Sequence, residues 1–393
     1  MHVGPPRVVR LLGAAVLVAH VATSGGGATS LQSTPRTLAR AWLVGEPVVG
    51  NPVTDMESAY ALTKRHEVIS VEAASGRVRW RQPTNKSGFG GTGASVVLSG
   101  GVVVVGDYDV LGFDARTGAE RWHFTPSEGY GPGFYLSHGA TADGMVYAGS
   151  PSGRVYALEA ATGRLRWMTA VATDGKTTVY PPQFDGPYVA AGYTEFVAPN
   201  RGGVVLLDAR DGRIVWTRPF PPASDPTLSL NWAGGPVFGD GAVIVSSGDG
   251  VIHAFDLADG NERWRIPALS PQPGNPILPD RDFRGLAVVD DLLITGSLTG
   301  IVVAFDLSTR DIRWTYRPTR LGSVAFRLAA SGDDVYVPFA GGTLVNLQGS
   351  DGVERWRVGD WTASMLWPPA RWNDLIIVSG AVNGLSAFHV TEN

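Results

Sequence analysis

The chain has 393 residues, of which 44% are hydrophobic and 17% are charged, so it can bury a large core. The formal net charge is −4 and no run of Lys or Arg stands out, which gives no electrostatic argument for binding nucleic acid or an anionic membrane. The sequence has no cysteine, which excludes a thiol nucleophile, a thiolate metal site and a lipidated cysteine from it.

The first residues predict an export signal. Arg7 and Arg10 precede an apolar run over residues 11–22, and small residues follow in TSGGGATS. We therefore expect a signal peptide over residues 1–28, a short linker over 29–38, and an exported protein that is either secreted or periplasmic. The apolar run is too short to span a bilayer as a helix, and no later run predicts a transmembrane segment.

From residue 39 onward, one phrase built around a tryptophan recurs, as in GFDARTGAERW (residues 112–122) and AFDLADGNERW (residues 254–264). Successive tryptophans are 42 to 50 residues apart, a period typical of four-stranded propeller blades. A glycine lies four residues before each tryptophan, except before Trp314, where Arg310 takes its place. The repeated tryptophans are Trp80, Trp122, Trp167, Trp216, Trp264, Trp314 and Trp356.

Each phrase has the chemistry of a hairpin that leads into an outer strand. An Asp or a related residue can bond its own turn, and the glycine can adopt the left-handed conformation. Alternation along the strand at residues 164–168 predicts Leu165 and Trp167 on a buried face, with Arg164 and Arg166 on the other. Six of the tryptophans follow an arginine, which we expect to face water and to discourage pairing at an exposed edge. These are Arg79, Arg121, Arg166, Arg263, Arg313 and Arg355.

Counting the strands predicts eight blades. Eight inner strand pairs accompany only seven tryptophan hairpins, and the last unit has no outer strand of its own. The segment ARAWLV (residues 39–44) holds the spare Trp42 in a strand of the right type. The predicted fold is therefore all-β: an eight-bladed β-propeller of four-stranded antiparallel blades over residues 39–393, closed by an N-terminal strand in the last blade.

The phrase A-x-D-x-x-T-G-x-x-x-W resembles the tryptophan-docking repeat of the pyrroloquinoline-quinone-like (PQQ-like) β-propellers, and the resemblance covers nearly the whole chain after the signal. Within that superfamily it is similar to the outer-membrane assembly lipoproteins, which implies a scaffold without a cofactor. It is more distantly similar to the quinoprotein alcohol dehydrogenases, which implies an enzyme that uses PQQ with calcium. The chain lacks the adjacent cysteines of the dehydrogenases and the lipidated cysteine of the assembly proteins.

The segments between blades are long and unlike one another, so we expect function on the face that they form. Aromatic side chains with a few charges suit a small-molecule or peptide pocket. The histidine spacing predicts no metal site, and GFGGTG (residues 88–93) has no helix after it to make a dinucleotide fingerprint. The candidate ligand-binding residues are Tyr180, Asn231, Trp232, Asp280, Asp282, Arg284, Arg327 and Trp367.

Two functional hypotheses follow. The first is a monomeric binding or scaffold protein, without a cofactor, that engages a protein partner or a small-molecule ligand on its loop-rich face. The alternative is an enzyme, either a small PQQ-dependent dehydrogenase or a catalyst without a cofactor, with its site in the central funnel. In that case Asp280 and Asp282, near Arg281 and Arg284, would be candidate acid and base residues; their adjacency equally suits local ion pairing.

Overall fold

The strands form eight sheets in the computed structural model, which describes residues 36–84, 95–126, 134–137, 139–173, 175–197, 201–220, 235–248, 250–267, 283–297, 299–318, 324, 328–359, 367–380 and 382–390. These residues belong to one compact unit, Pro35–Asn393. The predicted signal peptide and the first part of the predicted linker lie outside the described residues and stay predictions.

The described strands are short and follow one another along the chain. In order they are β1 (Arg36–Thr37), β2 (Arg40–Val44), β3 (Val48–Thr54), β4 (Ser58–Thr63), β5 (Glu67–Glu72), β6 (Val78–Pro83), β7 (Ser95–Ser99), β8 (Val102–Gly106), β9 (Val110–Asp114), β10 (Glu120–Phe124), β11 (Tyr135–Leu136), β12 (Met145–Gly149), β13 (Arg154–Glu159), β14 (Leu165–Ala170), β15 (Thr177–Val179), β16 (Gln183–Asp185), β17 (Tyr188–Glu195), β18 (Arg201–Asp208), β19 (Ile214–Pro219), β20 (Val237–Gly239), β21 (Ala242–Ser246), β22 (Ile252–Asp256), β23 (Glu262–Ile266), β24 (Phe283–Val289), β25 (Leu292–Ser297), β26 (Val302–Asp306), β27 (Ile312–Tyr316), β28 (Ala329–Ser331), β29 (Asp334–Phe339), β30 (Thr343–Gln348), β31 (Glu354–Gly359), β32 (Ala370–Trp372), β33 (Leu375–Gly380) and β34 (Gly384–His389).

Each sheet is one propeller blade, which confirms the predicted eight-bladed all-β fold. Within a blade, consecutive strands pair antiparallel, and the first strands of successive blades contact one another around the centre of the ring. The tryptophan-bearing strand is the outermost strand of its blade. Blades 1 to 8 comprise β3–β6, β7–β10, β11–β14, β15–β19, β20–β23, β24–β27, β28–β31, and β32–β34 with β2.

The N-terminal strand closes the ring as predicted. Strand β2 pairs antiparallel with β34, and Trp42 lies opposite Ala387 in blade 8. Further bonds tie blade 8 to blade 1: Trp372 Nε1 donates to Met56 O at 3.0 Å, and Ser379 Oγ donates to Gly50 O at 2.7 Å. The first and last segments of the chain are thus joined within one sheet.

The segment before β2 adds a contact that the sequence did not predict. Strand β1 pairs in parallel with β31, on the outer edge of blade 7. Leu38 follows it and is only 7% exposed, in a hydrophobic cluster with Trp356 and Phe388. Residues 36–38, part of the predicted linker, thus contact blades 7 and 8.

The repeated tryptophans hold neighbouring blades together. Six of the eight indoles reach the turn between the third and fourth strands of the next blade, where a glycine lies against the ring; they are those of Trp42, Trp80, Trp122, Trp167, Trp216 and Trp314. A Cβ added to that glycine would lie 2.5 to 2.7 Å from the indole, so any larger residue displaces it. We call each interface between neighbouring blades a seam. In these six seams the Nε1–H of the indole also donates to a backbone carbonyl of the next blade, at 2.8 to 3.2 Å, and this carbonyl belongs to the residue after the repeat carboxylate or after Gln348. The pairs are Trp42–Ala73, Trp80–Ala115, Trp122–Ala160, Trp167–Ala209, Trp216–Leu257 and Trp314–Gly349.

Two seams depart from this pattern. Trp356 packs toward blade 8, whose third and fourth strands, β34 and β2, are not consecutive in the chain and so have no such turn between them. The other is the seam that Trp264 forms with blade 6. Arg310 replaces the glycine in blade 6 and adopts a φ of 66°, a left-handed conformation that is costly for a residue with a Cβ. Its N–H still donates to Asp306 O at 2.7 Å, so the turn keeps the shape that the glycine gives it elsewhere. Trp264, which docks here, is only partly buried, and its Nε1 has no hydrogen-bond partner among the described residues.

The prediction that Leu165 and Trp167 share a buried face is wrong. Trp167 is 8% exposed, but Leu165 is 42% exposed. The reason is a β-bulge: Trp167 lies opposite Ala157 and Leu165 opposite Leu158, which leaves Arg166 as an extra residue. The same register shift precedes the tryptophan in all eight blades.

The arginine that precedes six of the eight tryptophans is paired within its own blade. Arg166 Nη1 lies 3.0 Å from Glu159 Oε1, and Arg313 Nη1 lies 2.9 Å from Asp306 Oδ2. Hydrogen bonds from Arg164 and Thr162 lower the pKa of Glu159 to about 2. The repeat carboxylates are thus committed to their turns and to their outer strands.

Removing a docking indole should destabilise the protein far more than removing the arginine beside it. We expect Trp167→Ala to lower the free energy of unfolding by about 3–5 kcal/mol, because it empties a buried aromatic site. Arg166→Ala should cost less than about 0.5 kcal/mol, because its ion pair with Glu159 is exposed. Urea unfolding measures both values, and equal losses would show that the indole does not hold the seam.

Acid should weaken the fold through the repeat carboxylates. The pKa of Asp306 is lowered to about 2, mainly by the hydroxyl of Ser308 and by backbone donors. A carboxylate with a lowered folded-state pKa stabilises the fold above its unfolded pKa of about 4, and that contribution is lost as the pH falls toward 2. Urea midpoints measured from pH 6 to pH 2.5 should therefore fall less steeply in Glu159→Gln/Asp306→Asn than in the wild type. Identical slopes would contradict this assignment.

Candidate functional site

The antiparallel blades divide their connections between two faces. The segments between blades and the turns between second and third strands lie on one face, here called the upper face. The other turns lie on the opposite face, here called the lower face. The repeat phrase supplies the turns between third and fourth strands, so the lower face is regular and the upper face is variable. The expected location of function is therefore the upper face.

Most of the predicted site residues fall in segments between blades that the structure does not describe. Arg284 lies in β24, where it is opposite Gly296 of β25. Only Tyr180 and Trp367 have described side chains. Outside the described residues lie Asn231, Trp232, Asp280, Asp282 and Arg327. For these five residues, ligand binding stays a prediction.

Tyr180 lies on the innermost part of blade 4, between β15 and β16. Its N–H donates to Gly192 O at 2.9 Å, which fixes the backbone at this break in the inner strand. The half-buried ring contacts that of Tyr135, from the inner strand of blade 3, with the centroids 6.0 Å apart. Two aromatic side chains from adjacent blades are thus brought together near the central axis of the propeller.

Trp367 is a core residue. It precedes the first strand of blade 8, is 7% exposed and belongs to a hydrophobic cluster with Val49, Tyr60 and Val96. Its indole therefore contributes to packing between blades, and a role in contacting a ligand stays a prediction.

Blade 4 has a longer hairpin than the other blades, a feature that the sequence patterns did not predict. Strands β17 and β18 have eight residues each, against five or six in the second and third strands of the other blades. At the end of β17, Phe196 is 52% exposed, and its N–H donates to Lys176 O at 2.8 Å. An exposed aromatic ring is thus presented on a fixed backbone. The spacing of the tryptophans gave no signal for the longer hairpin, because the 50 residues between Trp264 and Trp314 exceed the 49 between Trp167 and Trp216.

Two buried aspartates organise the upper face of blades 1 and 2. Asp107 Oδ2 accepts from Thr84 Oγ at 2.5 Å and lies 2.8 Å from His66 Nδ1, so it joins the two blades. Asp109 Oδ2 lies 2.7 Å from His123 Nε2. Asp107 and Asp109 are 5% and 4% exposed, so their carboxylates are committed to these contacts and hold the turn between β8 and β9 in place.

Blade 5 contains a serine, a histidine and a glutamate arranged like a catalytic triad: Ser247, His253 and Glu262. Ser247 Oγ is 3.1 Å from His253 Nε2, and His253 Nδ1 is 2.6 Å from Glu262 Oε1. However, Ser247 is fully buried and the imidazole stacks on Phe220 and Phe255, so no substrate can approach the hydroxyl. We therefore assign this arrangement to the packing of blade 5.

The quinone alternative needs a calcium site, and calcium takes oxygen ligands such as carboxylates. In the part of the chain that the structure describes, no group of three or more His, Cys, Asp or Glu side chains could hold a metal ion. The described residues therefore offer no donor set of this kind for PQQ with calcium. Within the same ranges, no helix is long and apolar enough to cross a membrane.

Known structures share the fold. The structure of BamB from Moraxella catarrhalis aligns with 90% of this chain and 100% of its own, with a TM-score of 0.65 and 20% identity. A quinohemoprotein alcohol dehydrogenase from Pseudomonas putida aligns with 92% of this chain and 79% of its own, with a TM-score of 0.62 and 14% identity. At these identities the likeness concerns the fold alone.

Sequence comparison is more specific. The outer membrane protein assembly factor BamB of Yersinia pestis is 29% identical over 280 residues, which are 69% of this chain and 67% of that protein. The Escherichia coli protein of the same name is 27% identical over 316 residues, covering 70% of this chain and 79% of its own. The model of the family described as outer membrane protein assembly factor BamB matches residues 17–198 and 200–359. Because this match spans most of the chain, the protein belongs to the BamB family of PQQ-like β-propellers.

Proposed function

We propose that the protein is an exported scaffold that binds a protein partner on its upper face and serves in the assembly of outer membrane proteins. The observation that carries the proposal is the family match over residues 17–198 and 200–359, which runs through seven of the eight blades. The relatives are named for outer membrane protein assembly.

The difference between the regular lower face and the variable upper face supports the upper face as the binding surface. The residues of the repeat are used in seams and turns: the indole and its glycine in the seam, the carboxylate in the turn. Partner recognition then falls to residues outside the repeat. Tyr135 and Tyr180 at the inner strands and Phe196 on the long hairpin are aromatic side chains of the kind that carries much of the binding energy in protein interfaces.

Export follows from the same proposal. Residues 1–28 carry the predicted signal, with a basic start, an apolar run and small residues after it. We propose that this segment directs the chain out of the cytoplasm, so that the propeller works as a monomer in a periplasmic or other extracytoplasmic compartment.

Site-specific photocrosslinking can locate the binding surface. A photoreactive phenylalanine analogue placed at Phe196 or Val382, which are 52% and 49% exposed on the upper face, should yield protein adducts in cells of the native host. The same analogue at Met56 or Val353, 91% and 52% exposed on the lower face, provides the matched control and should yield none. Adducts confined to the lower face would overturn the proposal. Mass spectrometry of the adduct then identifies the partner.

Substitutions in the remaining loops test the predicted contacts. Trp232, Asp282 and Arg327 come from three different inter-blade segments, and we propose that they converge on one binding surface. Truncation to Ala of at least one should weaken binding of the crosslinked partner by about 2 kcal/mol or more, measured by calorimetry. Trp367→Ala is a poor probe, because loss of its buried ring also destabilises the core. Full binding by all three folded variants would place the contact surface elsewhere.

A further inference from the structure

The seam between blades 5 and 6 is built differently from its neighbours. At the preceding seam, Trp216 is 5% exposed, lies against Gly260 and donates its Nε1–H to Leu257 O at 3.2 Å. At the following seam, Trp314 is 9% exposed, lies against Gly352 and donates to Gly349 O at 2.8 Å. Between them, Trp264 is less buried and its N–H has no partner among the described residues.

Arg310 accounts for the missing hydrogen bond of Trp264. Trp80 is also only partly buried, but it lies against Gly118 and keeps its bond to Ala115 O at 2.9 Å. An indole placed as at the other seams would lie 2.5 to 2.7 Å from a Cβ at this position, which is closer than real Cβ contacts allow. The ring therefore cannot settle on the turn of blade 6 as the others do on theirs. The arginine also holds a φ of 66°, so the turn itself stores strain that glycine would not.

The ring closure between blades 8 and 1 is reinforced instead. Trp42 donates to Ala73 O at 2.9 Å, Trp372 to Met56 O, Ser379 to Gly50 O, and Thr54 Oγ to Arg371 O at 3.0 Å. The seam between blades 7 and 8 is covered by β1 and by the buried Leu38. The ends of the chain, where a closed ring would first be expected to part, are thus tied at both adjacent seams.

We propose that the propeller opens at the seam between blades 5 and 6, ahead of its other seams. In the closed state this seam is held mainly by a hydrophobic cluster that includes Ala254 and Ile266 of blade 5 and Leu286 and Phe305 of blade 6. Local opening is easiest where fewer interactions must be broken. Adjustment of the ring to a partner would then be concentrated at one joint while the other seams stay closed.

Single reporter thiols can measure the opening, because the natural chain has no cysteine. Ala254 and Ala157 are equivalent: each is fully buried and lies opposite a docking tryptophan, Trp264 and Trp167 respectively. The rate at which Ellman's reagent modifies the thiol of native Ala254→Cys should exceed that of Ala157→Cys by at least tenfold. Adding Arg310→Gly should slow the first rate at least tenfold and leave the second unchanged.

The converse substitution should weaken a second seam. Gly212→Arg should displace Trp167 and accelerate labelling of Ala157→Cys, because it installs at the seam between blades 3 and 4 the residue found in blade 6. Hydrogen exchange of the cysteine-free protein gives an independent readout: β23 should exchange faster than β14, and Arg310→Gly should remove the difference. Equal rates at the two seams in the parent protein, or rates that Arg310→Gly does not alter, would overturn the proposal.

Discussion

The contact between an indole and a glycine in the next blade is the constraint on which the propeller depends. A blade buries its sheet faces only by packing against neighbours, so the ring is as stable as its seams. Tryptophan provides a large apolar ring together with one N–H donor, and that donor is satisfied when it reaches the neighbouring carbonyl. At the six seams that have it, the glycine serves two purposes. It adopts the left-handed φ of the turn, and it leaves empty the space of a Cβ, which the indole occupies.

This constraint also explains the division of the molecule into a regular and a variable face. The turns that receive the indoles must repeat, so the lower face keeps one sequence pattern around most of the ring. The turns of the upper face receive no indole, so their length and sequence can vary. Blade 4 has an extended hairpin there, with Phe196 exposed at the end of β17. The protein belongs to the BamB family, and the scaffold role proposed above suits this arrangement, because it needs a closed ring and a surface that can differ from blade to blade.

The sequence predicted what the repeat controls and failed where tertiary context decides. The period of the tryptophans predicted the blade number, and the unpaired Trp42 predicted the strand that closes blade 8. The β-bulge at Arg166 was missed because simple alternation assumes an unbroken register, and Leu165 was placed on the wrong face as a result. The parallel pairing of Arg36–Thr37 with β31 has no local signal, since two residues show no periodicity. For the candidate site, Tyr180 was brought close to Tyr135 by the fold, whereas Trp367 proved to be buried, which loop composition could not reveal.

The importance of the seam contact can be measured by comparing two glycines. Gly163 and Gly332 have φ values of 69° and 57°, but Trp122 lies against Gly163 and no atom lies within 4 Å of a Cβ built on Gly332. Gly332→Ala should therefore cost only the backbone strain, about 1–2 kcal/mol. Gly163→Ala should lower the free energy of unfolding by at least about 1 kcal/mol more, because it also displaces the indole and its hydrogen bond. Equal losses would contradict the account, since the glycine would then serve only the turn.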